Sequence, residues 1–266
     1  MLFGCSTVEK NIKKNVDGGN GFSYCIDYYL GQKIHVVLIN LRKNDVVLVK
    51  SRLSLEKPSK IARRENAIAA INAGFFQKDG SPAGALKIDN AWLKKPQITR
   101  GVIGWNNMAE KQYYFDRLKR DHVGNIVSEF HNDNWWEKTS YVVGGAPLLI
   151  YNKKALKLHD EKILGSFLSK RYARSAICTD QSNNLMLIVV EGGDRLSSML
   201  GFEKGLSIKE FTTYLQNKNC HYALNLDGGR SSTMIVNNQV VNVHPHFLGE
   251  RKVPNVILVK SKLISK

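Results

Sequence analysis

Apolar positions along this chain fall mostly into short runs rather than at helical spacing. Lys33 to Asn40 and Asp45 to Lys50 are rich in β-branched residues with a turn between them, which predicts two adjacent strands. Ala67 to Ile71, Tyr141 to Tyr151, Tyr172 to Cys178, Leu185 to Val190, Tyr222 to Leu226, Thr233 to Val236, Gln239 to Val243 and Asn255 to Val259 continue the pattern. Helical signals are confined to two segments. Pro58 to Glu65 predicts one short helix leading into a strand. Ser207 to Asn217 predicts a longer one, because Ser207 and Glu210 fit a capping box and Ile208, Phe211, Tyr214 and Leu215 share a face. That helix is read as a packing element. Roughly residues 111–138 are polar around Trp135-Trp136 and read as a long hairpin or an insertion over a cleft. The tryptophan pair is either a sugar-stacking surface or, more often in such pairs, includes a core residue. No repeat or clean linker interrupts residues 22–266. The expected fold is therefore a single α+β domain: a strand-rich mixed sheet with few helices.

Composition changes this picture little. The 266 residues are 43% hydrophobic and 23% charged, ordinary for a globular protein. No apolar run approaches the roughly 20 residues of a membrane-spanning helix. The net charge of +16 favours polyanionic partners, such as phosphorylated glycans or an anionic membrane surface. The lysines are scattered and no nucleic-acid module is present, so nucleic acid is not expected. Cys178 and Cys220 lie in apolar runs and read as buried thiols, and no disulfide can be deduced. Leu2-Phe3-Gly4-Cys5-Ser6 is similar to the end of a bacterial lipoprotein signal, without its basic and apolar regions. Either Cys5 carries a lipid that attaches an exported product peripherally to the cell envelope, or the match is chance. Residues 1–21 read as a flexible tether or signal remnant.

The chemistry concentrates where strands meet glycines. Asn225-Leu226-Asp227-Gly228-Gly229-Arg230-Ser231-Ser232 brings a carboxylate, two glycines, a guanidinium and two hydroxyls to the end of an apolar run. Asp-Gly alone is a common turn. The surrounding polar groups are what point to a site. Four further segments follow the same pattern. They are Asn72-Ala73-Gly74-Phe75-Phe76, Val143-Gly144-Gly145-Ala146-Pro147, Arg174 within its strand, and Glu191-Gly192-Gly193-Asp194-Arg195. Each is weak singly. Strand ends on one rim of a sheet can converge, and the recurrence predicts that these do. There is no H-E-x-x-H cluster, and His244-Pro245-His246 reads as a solvent-facing loop, so no metal or other cofactor is expected.

Taken in order, these blocks resemble the phosphodiester glycosidase family. The resemblance is carried by residues 72–76, Gly144 to Leu149, Ala173-Arg174-Ser175-Ala176, Val190 to Arg195, Gly205-Leu206-Ser207, Ala223 to Gly229 and Glu250-Arg251. It covers roughly three quarters of the chain. One departure is Arg230, where the family usually has a third glycine. The resemblance implies a hydrolase that cleaves an N-acetylglucosamine-like sugar from a phosphodiester-linked glycoconjugate or envelope polysaccharide. On that reading Asp227 and Glu191 are the carboxylates and Arg174 binds the phosphate, helped by Arg230. Asn72 and Asn225 orient the substrate. The Gly144-Gly145 and Gly228-Gly229 amides, with Gly74, Ser231 and Ser232, line the pocket. The alternative is a non-catalytic module that binds anionic polysaccharide.

Overall fold

The computed structural model describes residues 16–18, 21–106, 112–193, 204–243 and 249–262. Its strands form three sheets, and every described pairing is antiparallel. The first sheet has eight strands. Its order is β1 (Val16–Gly18), β2 (Phe22–Tyr29), β3 (Gln32–Ile39), β15 (Leu185–Val190), β14 (Arg174–Thr179), β16 (Tyr222–Asn225), β12 (Leu148–Tyr151) and β13 (Lys154–Ala155). The second runs β10 (Ile126–Ser128), β9 (Tyr113–Arg120), β8 (Arg100–Trp105), β11 (Tyr141–Gly144), β6 (Leu86–Ile88), β7 (Ala91–Lys94). The third runs β18 (Gln239–Val240), β17 (Met234–Val236), β5 (Ala69–Asn72), β19 (Asn255–Ser261), β4 (Asn44–Lys50).

Strand alternation divides the apolar residues between layers. In β15, Leu185, Leu187 and Val189 face the central core, where they meet Ile71 of β5, Ile257 of β19 and Ile103 of β8. Met186, Ile188 and Val190 point the other way, beneath Phe211, Tyr214 and Leu215 of a helix, α4 (Ile208–Asn217). Burial on both faces is why this segment reads as an unbroken apolar run. The cap of α4 is the expected one: Ser207 accepts from the Glu210 N–H, and Glu210 accepts from Ser207. The outer face of the five-stranded sheet is covered by Ile61 and Ala62 of α1 (Pro58–Arg64). That of the six-stranded sheet is covered by the fully buried Trp136 of α2 (Asp133–Lys138). The one remaining described helix, α3 (Gly165–Ser169), lies against α4.

Two parts of this architecture differ from the expectation. The segment read as one strand from Tyr141 to Tyr151 is two, β11 and β12, in different sheets, divided at the cis Ala146–Pro147 bond. Cys178 and Cys220 are not thiols but a disulfide that joins β14 to the segment between α4 and β16. A contact between residues 42 apart in sequence is invisible until both segments are placed. Of the leading segment, Val16–Gly18 pairs with β2, and Cys5 lies outside the described residues. The disulfide predicts a stability term. For a loop of this length, Cys178→Ala/Cys220→Ala lowers the unfolding free energy by about 4 kcal/mol. An unchanged urea midpoint in the double variant would remove that contribution.

Candidate active site

The pairing registers fix one rim. β14 begins opposite the end of β15, with Arg174 facing Val190, and Ala176 lies opposite Asn225 at the end of β16. Antiparallel order therefore puts Glu191, Ala173 and Asp227 side by side just past three strand ends. Gly192 and Gly228 press on Ala173 from either side. A Cβ at Gly192 would lie 2.7 Å from Ala173 N, and one at Gly228 would lie 2.9 Å from Ala173 O. Neither position has room for a side chain, and that closeness sets the main chains of the three segments against one another.

The five-stranded sheet reaches the same edge through Asn72. Its Nδ2 donates to Asp227 O at 2.6 Å, and its Oδ1 accepts from Ser175 Oγ at 2.8 Å and Thr233 N at 3.1 Å. The Asp227 N–H donates to Ala73 O at 3.0 Å. The main chain of Asp227 is thus clasped between the sheets while its carboxyl faces elsewhere. That carboxyl accepts hydrogen bonds from the Ser231 hydroxyl and the Gly228 N–H. Ser231 Oγ in turn accepts from Arg251 Nη1 at 3.1 Å, and the Arg251 guanidinium lies 4.6 Å above the Phe76 ring. Asp227 is 9% exposed. Burial pushes its carboxyl up to about 6, against the opposing pull of Ser231, the Arg251 charge and Gly228. A carboxyl poised there can take or give a proton near neutrality.

Glu191 differs. Its side chain is 18% exposed, and Oε1 accepts from His35 Nε2 at 2.8 Å and Val243 N at 3.1 Å, with Lys33 Nζ at 3.5 Å. Burial opposes ionisation, but the His35 hydrogen bond and these neighbours outweigh it and hold the carboxyl below its usual range. The two carboxyls thus differ, the Asp227 proton affinity raised and that of Glu191 lowered.

The other anticipated residues are mostly engaged within the protein. Arg174 is fully buried and alternates away from Ser175, toward α3 and α4. Its Nε donates to Leu206 O, and its Nη2 to Phe167 O and Lys170 O, each at 2.9 Å. Its charge lies between the Phe167 and Tyr172 rings, and desolvation lowers its pKa to about 10. The described contacts do not join it to Asp227. The Gly144, Gly145 and Gly229 amides donate to Ala85 O, Gly101 O and Ala173 O, so none of the three is available to an anion. Gly74 N–H likewise donates to Asn255 Oδ1 at 2.8 Å. Asn225 is buried and donates to Ala146 O and Leu226 O, while Ser232 Oγ is 3.1 Å from Ser175 Oγ inside the protein. Arg230 is exposed on the turn Gly229–Ser231. Asp194, Arg195 and the His244-His246 pair lie outside the described residues.

The geometry adds Arg251, which sequence reasoning did not count among the site residues, although Gly249-Glu250-Arg251 also sets charges beside a glycine. Glu250 accepts from the Ser59 N–H and hydroxyl at 3.0 and 2.8 Å, tying this segment to α1.

A profile of the family described as "Phosphodiester glycosidase" matches residues 65–260, which contain every carboxyl and guanidinium of this rim. The chain belongs to the phosphodiester glycosidase family. No curated protein sequence matches it. Solved structures share the fold at low identity. A hypothetical protein from Synechocystis superposes with a TM-score of 0.75 at 19% identity, covering 96% of this chain and 64% of that one. The catalytic domain of zebrafish N-acetylglucosamine-1-phosphodiester α-N-acetylglucosaminidase, auto-inhibited by its pro-peptide, gives 0.67 at 15%, covering 91% of this chain and 83% of that one. A Burkholderia pseudomallei K96243 protein designated as exported gives 0.65 at 14%, covering 86% and 74%.

For this family member the Asp227 environment makes a stability prediction. The folded state keeps the proton to about pH 6, whereas the ordinary carboxyl releases it near 3.8. Stability therefore falls as pH rises through that window. Asp227→Asn removes the ionisation, so the variant exceeds the parent at pH 7 by up to about 3 kcal/mol. The two converge below the ordinary carboxyl value. Unfolding curves at both pH values measure this, and an equal difference at each would show that the buried charge is not its source.

Proposed function

We propose that this protein hydrolyses sugar 1-phosphodiesters, releasing an N-acetylglucosamine-like sugar from a phosphate-linked glycoconjugate or envelope polysaccharide. The observation that carries the reading is the Asp227–Ser231–Arg251 chain: a buried carboxyl with raised pKa, one hydroxyl away from an exposed guanidinium. The bond to be broken joins an anomeric carbon to a phosphate oxygen. The departing phosphate monoester has its second pKa near 6, so it needs charge neutralisation more than a strong acid. Arg251 supplies that charge, with Arg230 on the neighbouring turn as helper. Asp227 and Glu191 divide the nucleophilic or proton-transfer roles. Arg174 fixes α3 and the Leu206 segment instead of touching the phosphate. The +16 net charge suits an anionic polymer as substrate. The Cys178–Cys220 disulfide supports an exported, oxidising location, and among the described residues no helix is long and apolar enough to cross a membrane. Neither feature addresses attachment through Cys5, which we propose only as peripheral. The reading invokes no metal, no other cofactor and no nucleic acid.

Hydrolysis of a sugar 1-phosphodiester, compared with a neutral nitrophenyl glycoside of the same sugar, tests this reading. Arg251→Ala is expected to lower kcat/KM on the phosphodiester roughly hundred-fold and to change the neutral substrate little. Equal losses on both would remove the phosphate role. Saturable binding of anionic polysaccharide with no sugar released by the parent would favour the binding-module alternative.

A further inference from the structure

Behind Glu191 lies a buried histidine. His35 is in the middle of β3, where its neighbours Ile34 and Val36 are both in the core, and the imidazole is fully buried. Both ring nitrogens are engaged. Nδ1 is 2.8 Å from the Tyr24 hydroxyl, across the β2–β3 pairing, and Nε2 is 2.8 Å from Glu191 Oε1, across the β15–β3 pairing. The Tyr24 and His35 rings lie nearly parallel, 6° apart. The titratable groups facing this imidazole among the described residues are Tyr24 from β2 and Glu191, the residue that follows β15. Lys33, two residues away on the same face of β3, reaches the same carboxylate oxygen at 3.5 Å.

The direction of the chain follows from the carboxylate. Ionised Glu191 can only accept, so the imidazole hydrogen sits on Nε2, and Nδ1 of the neutral ring accepts from the Tyr24 hydroxyl. Burial, and secondarily the Glu191 charge, pushes that hydroxyl up to about 12, so it keeps the proton it donates. Among the described residues the donors to Glu191 reach Oε1, and its side chain keeps 18% exposure.

We propose that His35 is the positioning residue of the active site: with Tyr24 locking its tautomer, it holds Glu191 ionised and fixed in rotation, so that Oε2 meets the substrate. This rests on the reading of Glu191 as the second catalytic carboxylate. The arrangement resembles in logic a triad in which a buried group orients a histidine, but here the histidine is the buried group and the carboxylate the working end. An imidazole on a strand covered on both faces has only two partners to satisfy, and both are met.

Kinetics of His35→Leu, His35→Gln, Tyr24→Phe and Glu191→Gln on a sugar 1-phosphodiester test the proposal. His35→Leu is expected to lower kcat roughly hundred-fold with KM within about three-fold, and to move the acid limb of kcat/KM to higher pH. His35→Gln, whose amide N–H can replace Nε2–H, recovers at least about ten-fold of that loss. His35→Leu added to Glu191→Gln costs nothing further. An unmoved acid limb, no recovery by glutamine, or an equal loss in the Glu191→Gln background would overturn the positioning role in favour of simple packing. A second readout needs no activity. Nitrogen-15 NMR of the resting protein is expected to show the His35 proton on Nε2, with the preference relaxed in Tyr24→Phe, and a proton on Nδ1 would overturn the relay. Wild-type turnover in Glu191→Gln would instead overturn the reading of Glu191, while the tautomer result stood.

Discussion

The side-chain amide of Asn72 is the interaction on which the site depends. It bonds to the carbonyl of Asp227, the hydroxyl of Ser175 and the N–H of Thr233, joining the five-stranded sheet to the eight-stranded one at the edge where the acids lie. All four residues are buried, so leaving any of these groups unpaired costs about 1–3 kcal/mol. The arrangement therefore admits one relative placement of the sheets. With its carbonyl held by Asn72 and its N–H by Ala73, Asp227 has a determined backbone and a side chain left for other work. Asn72 is thus a brace behind the carboxyl.

The same device recurs through the sandwich. Asn242 accepts from Met234 N and donates to Ser232 O, and Asn255 accepts from Gly74 N. Farther along, the fully buried Glu161 takes Arg117 Nε, Leu148 N and Gly101 N on its two oxygens, locking the six-stranded sheet onto β12. An apolar core alone would tolerate small slides between layers, because hydrophobic burial is non-directional. Satisfied polar groups set at intervals do not. They add little net stability but define which residues share a rim.

Much of this was legible in the sequence, for identifiable reasons. Strands covered on both faces announce themselves as apolar runs, and Leu185 to Val190 is one. Strand β9 does not, because Asp116 and Arg117 are buried in the middle of it and interrupt the apolar spacing. Glycine-flanked charges marked strand ends that the pairing registers bring together. They could not say which face each side chain takes, and alternation sends Arg174 to the helix side while Ser175 goes to the sheet interface. The Gly144 and Gly145 amides were equally opaque, since residue type carries no record of where a backbone N–H is already paired. His35 left one signal, a lone polar residue inside an apolar strand, which ordinary core histidines also leave.

Burial, more than charge, sorts the roles of the two arginines. Arg174 and Arg251 carry the same group. The first is buried, and desolvation lowers its affinity for its proton; carbonyls and aromatic rings enclose it, and a phosphate would have to displace those partners to reach it. The second is exposed, has a hydroxyl and a ring as neighbours, and already helps draw Asp227 toward ionisation. In the proposed reaction, an anionic ligand on Arg251 would cancel that pull and add a like charge near Asp227, raising its hold on a proton at the moment the complex forms.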